Sequence, residues 1–325
     1  MKLRSSQFNF KRSNFLAFFL ALLMSLIAVP LLSHTSHAAS SKATIQFVSP
    51  AWVTQHSSDP NLRILDVRVS PLDYFASHLP NAVHIADNTF RGPNGTLPVQ
   101  YWSNEKLGQL FSQAGVANDS KVLVYSDGQN VLGATMVAYL LERSGLKEIA
   151  VLDGGFKAYK ESGQPVAQEF PKYKPTKFTV KENSSVRVTL DDVRKSIGKQ
   201  GVVFIDPRPP KLFQGEEKLW VRNGHIPGAK NIPWPTFTAG NAATNEGNFH
   251  QLKSLDDIRK LLTDRKIKVT DRIIVTCSTG REATLQYVVL KHLLAYPNVR
   301  VYEGSWTEYS SYPDLPVETG PEKTA

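Results

Sequence analysis

The sequence has little cysteine and no clustered basic charge. Its 325 residues include a single cysteine, Cys277, which cannot form an internal disulfide. The thiol is therefore either an inert part of the core or a reactive group. Basic residues form no run of five and no stripe with aromatic residues, so a nucleic-acid partner is not expected.

Long apolar runs are also scarce, since only residues 15–32 form one. Four basic residues precede this run, and Ser36-His37-Ala38 follows it with small residues at the first and third positions. The pattern predicts an export signal over residues 1–38, cleaved after Ala38, and hence a periplasmic location in a two-membrane bacterium. An uncleaved anchor is the alternative, because a run of this length can just span a bilayer. A mature N-terminus at Ala39 would decide between them.

The remaining chain is predicted to be mildly basic and not embedded in a membrane, because it has no second long apolar segment. Without residues 1–38 the formal net charge falls from +9 to +5, which supports at most a modest attraction for small anions. The length is suited to two domains of roughly 130 to 150 residues each.

Four sequence blocks occur twice in the same order, which indicates an internal duplication. The first is an apolar strand that ends in an acid and a base, at residues 62–68 and again at 202–208. The other pairs are His78–Ala82 with His225–Ala229, Lys121–Ser126 with Arg272–Cys277, and Leu152–Phe156 with Tyr302–Trp306.

Each copy alternates short β-branched runs with helical patterns. The runs 122–125 and 273–276 are continuously apolar, as in strands that are covered on both faces. A helical pattern and a further strand follow each run, which predicts an α/β fold with a mainly parallel sheet and helices on both faces. The polar segment 168–187 is the predicted linker, within an N-terminal domain over 39–180 and a second domain over 181–325.

The segment after the second apolar run carries the predicted chemistry. Cys277 stands where the strand ends, Gly280 can adopt a positive φ, and a helix begins directly afterwards. Backbone amides in such a turn form an anion-binding nest, and the helix N-terminus adds partial positive charge. We therefore expect a lowered pKa for the Cys277 thiol, with Arg281 turned toward the loop to help hold an oxyanion.

These motifs resemble the tandem-domain form of the rhodanese, or thiosulfate/3-mercaptopyruvate sulfurtransferase, family. The resemblance covers residues 45–317 and rests on the following motifs: Asp206-x-Arg208, Gly-His-Ile-Pro-Gly-Ala at 224–229, the six-residue loop Cys277–Glu282 and Gly304-Ser305-Trp306. It implies two rhodanese-like domains, of which the C-terminal one is catalytic. Ser126 replaces the cysteine in the first domain, which is therefore expected to cover one side of the active site.

The family resemblance also implies a ping-pong reaction without a metal or organic cofactor. Cys277 takes the outer sulfur of a small anionic donor as a persulfide and passes it to a nucleophilic acceptor, either cyanide or a thiol. The candidate substrate-binding residues are Ser278, Thr279, Gly280, Arg281, Glu282, Arg222 and Arg208.

The residues around the loop favour thiosulfate over 3-mercaptopyruvate as the donor. Mercaptopyruvate enzymes of this family hold the donor carboxylate with upstream arginines, and one of these positions is Leu212 here. Arg222 could supply the other. Thiosulfate enzymes of the family often have basic residues directly after the cysteine, and mercaptopyruvate enzymes tend to have small neutral ones. This chain has Ser278 and Thr279 there and its charge at Arg281, so the loop matches neither pattern cleanly.

Several alternatives stay open at this level. Asp206 and Arg208 could tie the end of the sheet together, and Glu282 could be a carboxylate favoured by the helix dipole. A related cysteine-loop phosphatase needs an arginine six positions after the cysteine, where this chain has Ala283. A sulfur carrier that is loaded and unloaded by dedicated partners is the non-enzymatic alternative.

Overall fold

The computed structural model describes residues 44–127, 130–240 and 247–323. The predicted export signal lies outside these ranges and stays a prediction. The first half contains β1 (Thr44–Val48), α1 (Pro50–Gln55), β2 (Leu62–Asp66), α2 (Pro71–Ala76), β3 (Ala82–His84), β4 (Arg91–Asn94), β5 (Leu97–Tyr101), α3 (Asn104–Gln113), β6 (Lys121–Tyr125), α4 (Leu132–Arg143), β7 (Glu148–Leu152) and α5 (Gly155–Glu161).

The second half repeats this series, except that no strands equivalent to β4 and β5 occur among its described residues. It contains β8 (Arg187–Val188), α6 (Leu190–Ser196), β9 (Val202–Asp206), α7 (Pro210–Gln214), β10 (Lys230–Asn231), α8 (Leu255–Asp264), β11 (Arg272–Val275), α9 (Arg281–Val288), β12 (Val299–Tyr302) and α10 (Ser305–Tyr309). Short 3₁₀ segments lie at Asp87–Phe90, Ser184–Val186 and Trp234–Phe237, and a π-helical turn at Val289–Leu293 continues α9.

Two five-stranded parallel sheets confirm both the predicted fold class and the duplication. The first has the order β1-β7-β6-β2-β3, and the second has the order β8-β12-β11-β9-β10. The central strand of the first sheet, β6, leads to Ser126, and the central strand of the second sheet, β11, leads to Cys277. The strands of the two sheets therefore correspond one to one. Crossover helices connect the strands of each sheet, as parallel pairing requires.

The predicted linker is not structureless to its end. Its last residue, Arg187, is the first residue of β8 and pairs with Val301 at the edge of the second sheet. Arg187 also forms an ion pair with Glu182, so this end of the segment is fixed by both backbone and side-chain contacts.

The two halves share one apolar core, in which α4 packs against α9. Every residue of α4 is buried, and the hydroxyls of Thr135 and Thr284 meet between the two helices at 3.1 Å. The same apolar cluster includes Val124 of the first sheet and Val275 of the second. Because the strands before both loops end at this shared core, residues of one domain can reach the loop of the other.

Local capping fixes where several helices begin. Thr189 and Asp192 form a reciprocal capping box at the start of α6, and Ser254 caps α8 through the amide of Asp257, which satisfies amides that have no partner within the helix. Over the residues that the structure describes, no helix is both long and apolar enough to cross a bilayer.

Candidate active site

Cys277 lies two residues beyond β11, at the carboxyl end of the second sheet. The strand before it is buried, and the amide of Thr276 donates to the carbonyl of Ile205 on the neighbouring strand at 2.9 Å. Helix α9 begins four residues after the cysteine. Open parallel sheets bind ligands at this edge, so the fold places the cysteine where the sequence predicted it.

The loop after Cys277 is held by α10. The amide of Trp306 donates to the carbonyl of Cys277 at 2.9 Å, and the amide and hydroxyl of Thr307 donate to the carbonyl of Ser278 at 3.1 and 2.8 Å. Ser305 accepts the amide of Cys277 at 3.2 Å, and its hydroxyl lies 3.9 Å from the sulfur. The Gly-Ser-Trp motif therefore positions the loop by contacting its main chain.

Two main-chain amides face the sulfur of Cys277. The amides of Thr279 and Ala283 both donate to it, so the predicted nest is present. Gly280 allows this turn, since it has a φ of 87° and begins α9. A Cβ at Gly280 would lie 3.0 Å from the Tyr101 hydroxyl and 3.1 Å from the carbonyl of Glu303, so the position is also sterically closed to side chains.

The expected lowering of the thiol pKa is wrong. Cys277 is fully buried, and this burial raises its pKa well above the usual range. The carboxylate of Glu282 raises it further, both by its charge and by hydrogen bonding, while the amides of Ala283 and Thr279 lower it by less. Removal of the sulfur from water thus outweighs the nest, and the neutral thiol is favoured.

The first domain covers one side of the loop, as predicted. A hairpin formed by β4 and β5, here called the first hairpin, places Arg91 and Tyr101 against it. The Arg91 guanidinium donates to the Thr279 hydroxyl at 3.0 Å, and the Tyr101 hydroxyl donates to the carbonyl of Gly280 at 2.9 Å. Sequence reasoning did not identify either residue, because nothing local in the first hairpin indicates which loop it meets.

Arg281 does not turn toward the loop. Its guanidinium binds the Asp87 carboxylate of the first domain at 2.5 and 2.9 Å and the Asn130 side chain at 3.3 Å. Asp87 is only 2% exposed, and a buried carboxylate requires a partner. The expected oxyanion role of Arg281 is therefore replaced by an ion pair between the domains.

Arg208 is also buried inside a structural pair. It forms hydrogen bonds to Asp206 at 2.6 to 3.0 Å and to the carbonyl of Gly224 at 2.8 Å. Arg68 and Asp66 form the same pair in the first domain, which has no cysteine. A feature that both domains have serves their common fold, so we do not retain Arg208 in the proposed donor site.

Arg222 binds main-chain carbonyls rather than facing the loop. Its donors reach the carbonyls of five residues that follow or end α10, namely Tyr309, Ser310, Tyr312, Pro313 and Leu315. Helix ends leave carbonyls without partners, and Arg222 satisfies them. It is likewise not retained as a donor-binding residue. Of the predicted set, Ser278, Thr279, Gly280 and Glu282 lie in the loop beside the sulfur.

Comparison with known proteins accounts for this arrangement. The rhodanese-like domain family matches residues 49–162 and again residues 189–312. The chain belongs to the tandem rhodanese sulfurtransferase family. A Synechococcus elongatus relative with a provisional thiosulfate sulfurtransferase name is 57% identical over 89% of this chain and 90% of its own length.

Two further relatives of this rhodanese differ in the role that their names state. The sulfur carrier protein TtuD of Thermus thermophilus is 33% identical over 85% of this chain and 97% of its own length. The crystal structure of SseA from Escherichia coli, described with the rhodanese fold of 3-mercaptopyruvate sulfotransferases, superposes with a TM-score of 0.70 and 25% identity over 81% of this chain and 99% of SseA.

Proposed function

We propose that this rhodanese transfers the outer sulfur of thiosulfate to cyanide or a thiol through a persulfide on Cys277. The orientation of the Cys277 sulfur toward the amides of Thr279 and Ala283, at the start of α9, carries the proposal. An anionic sulfur formed there receives two hydrogen bonds and the partial charge of the helix N-terminus.

The surroundings of the loop favour thiosulfate over 3-mercaptopyruvate. Arg222 is occupied by carbonyls, and the position before Phe213 is Leu212, so two arginines for a donor carboxylate are not placed together. Arg91 lies at the loop through its hydrogen bond to Thr279, whereas the charge of Arg281 is paired with Asp87. A cation beside a nest of amides is suited to a compact anion such as thiosulfate. The name of the Synechococcus relative supports this choice.

The reaction has two displacement steps. The Cys277 thiolate donates an electron pair to the outer sulfur of thiosulfate, and the bond to the central sulfur breaks, so that sulfite leaves with that pair. Cyanide or a thiolate then attacks the outer sulfur of the persulfide. The Cys277 sulfur leaves with the electron pair of the broken bond, and thiocyanate or a new persulfide forms.

Mass measurement of the protein after incubation with thiosulfate tests this function. We expect the mass of one sulfur atom to be added to wild type and to Ser126→Ala, and not to Cys277→Ser. Parallel rate measurements with thiosulfate and 3-mercaptopyruvate should give the higher kcat/KM for thiosulfate. Addition of sulfur to Cys277→Ser would overturn the proposal, and a higher kcat/KM for mercaptopyruvate would replace the donor.

A sulfur carrier is the second candidate function. The complete burial of Cys277 restricts free exchange with small molecules, and the Thermus relative is named a sulfur carrier. Multiple turnovers of thiosulfate and cyanide at about 10 per second, an ordinary enzymatic rate, would favour the enzyme. Loading of one sulfur without turnover would favour the carrier.

A further inference from the structure

Glu282 is the acidic group beside the Cys277 thiol. It is the second residue of α9, and its carboxylate lies close enough to the thiol to raise the thiol pKa. Its Oε2 atom is buried and makes no hydrogen bond of normal geometry to any residue in the described ranges. A carboxylate that only complements a helix dipole is normally solvated, whereas this oxygen lies inside the site.

The buried thiol needs a proton acceptor before it can attack a donor, because the thiolate is the nucleophile. Ser305, the other side chain near the sulfur, donates its hydroxyl proton to the carbonyl of Tyr302 at 2.9 Å. Three buried histidines are engaged elsewhere: His78 and His225 bind the carbonyls of Tyr74 and Phe213, and His250 accepts the amide of Ser126. Glu282 is the base that the geometry supplies.

We propose that Glu282 is a catalytic residue that takes the proton from Cys277 during sulfur loading and returns it after sulfur delivery. This inference rests on the proposed function. The carboxylate accepts the thiol proton as the sulfur attacks, so sulfite leaves while the proton stays on Glu282. When the acceptor removes the outer sulfur, the Cys277 thiolate takes the proton back and the carboxylate is restored.

The neighbouring charges do not replace Glu282 in this role. Arg91 and Arg281 are cations that donate to Thr279 and Asp87 and cannot accept a proton. Burial raises the pKa of Tyr101 well above its usual value, so it stays neutral, and its hydroxyl donates to the carbonyl of Gly280. Glu303 is bound by Tyr139 and Arg143.

The pH dependence of sulfur loading tests this assignment. Single-turnover loading of Cys277 by thiosulfate is measured from pH 5 to 9 in wild type, Glu282→Gln, Glu282→Asp and Glu105→Gln. We expect wild type to reach a plateau near neutral pH. Glu282→Gln should load about 10²- to 10⁴-fold more slowly at pH 7, the usual contribution of a general base, and its rate should rise about tenfold per pH unit because the thiol then ionises to solvent.

Two variants control for structural effects. Glu105 is an exposed carboxylate in the first turn of α3, and Glu105→Gln should load like wild type. Glu282→Asp keeps the base on a shorter side chain and should keep the plateau at a reduced rate, which tests the inference even if Glu282→Gln folds poorly.

Three results would overturn the inference. A loss in Glu282→Gln that is equal at every pH assigns Glu282 a positioning role only. Unchanged or faster loading at pH 7 means that the carboxylate merely raises the thiol pKa. Both results leave the proposed function intact, whereas a wild-type protein that accepts no sulfur at any pH overturns that function and this inference together.

Discussion

The two domains have the same framework but differ at the loop after the central strand of each sheet. Both have an Asp–Arg pair at the end of the second strand, Asp66–Arg68 and Asp206–Arg208. In both, a histidine stacks on an aromatic ring and binds the main-chain carbonyl of the same aromatic residue: His78 with Tyr74, and His225 with Phe213. What the domains share therefore builds the fold, and the differences between their loops identify the function.

Each domain also sends a hairpin to the loop of the other. The first hairpin meets the Cys277 loop, while residues 238–240 and 247–252, here called the second hairpin, meet Ser126. The equivalence is visible in the backbone, since Trp102 donates to Phe90 just as Lys253 donates to Phe237. The first hairpin brings a cation and a tyrosine, whereas the second brings a neutral histidine.

His250 lies against Ser126 at the start of the first domain's loop. Its Nε2 accepts the amide of Ser126 at 3.3 Å, whereas the equivalent amide of Cys277 donates to the Ser305 hydroxyl at 3.2 Å. The ring also lies against Gly155, because a Cβ at that position would be only 2.7 Å from the Cδ2 atom of His250. The Ser126 hydroxyl donates to the carbonyl of Asn130, so His250 does not activate it. The first domain therefore differs from the second both in lacking the cysteine and in having an imidazole ring against the residue that replaces it.

The largest expected effect is the loss of sulfur transfer when the cysteine is removed from position 277, even if a cysteine is placed at position 126. Cys277→Ser should reduce sulfur transfer by about 10³-fold or more, as loss of a nucleophile does. Adding Ser126→Cys to that variant should not restore transfer, because the His250 ring lies against residue 126 and leaves no room for a donor there. Mass measurement after thiosulfate treatment gives the result directly, and sulfur addition to the double variant would show that the His250 ring does not block the site.

A smaller effect, on stability, is expected from breaking the ion pair between Arg281 of the catalytic loop and Asp87 of the first domain. Arg281→Gln leaves the Asp87 carboxylate buried without its cation, which should cost about 3 kcal/mol in the free energy of unfolding. Urea unfolding measures this cost. Adding Asp87→Asn removes the stranded charge, so the double variant should be more stable than the sum of the two single losses. Simple additivity would mean that the ion pair contributes nothing.

The sequence predicted the framework because its signals are local. Buried strands, turns and repeated motifs can be recognised within a few residues, and the cysteine loop follows its strand directly. The partners of that loop could not be predicted in the same way. Arg91, Tyr101 and Asp87 come from positions 188, 179 and 194 residues away from their partners, and only the packing of the domains brings them together.

The direction of the Cys277 pKa shift could not be predicted for the same reason. A nest and a helix start can be recognised from Gly280 and the residues after it, but the burial that outweighs them depends on α10 and the first hairpin. Arg222 could not be assigned from the sequence for the same reason, since the carbonyls that it binds lie 87 to 93 residues further along the chain, at the end of α10 and just after it.

The smallest expected effect is the pH dependence of the stability that His250 contributes. Burial lowers the pKa of His250 from 6.5 to about 3, so the folded protein holds it neutral while the unfolded chain protonates it below pH 6.5. Its contribution to stability is thus fully present above pH 6.5 and is lost as the pH falls toward 3. Between pH 7 and pH 5 the free energy of unfolding should fall by about 2 kcal/mol through this group.

Comparison of wild type with His250→Gln isolates that contribution. Glutamine can still accept the Ser126 amide through its side-chain oxygen, but it does not titrate, so the stability difference between the two proteins should change by about 2 kcal/mol between these pH values. Asp153 accepts the amide of Leu252 in the second hairpin, and burial raises the pKa of its carboxyl group. Its contribution to stability is lost as the pH rises, but both proteins contain Asp153, so this contribution cancels in the difference. Parallel pH curves for the two proteins would mean that His250 is accessible to protons in the fold, and the first domain's loop would then be open to ligands rather than filled.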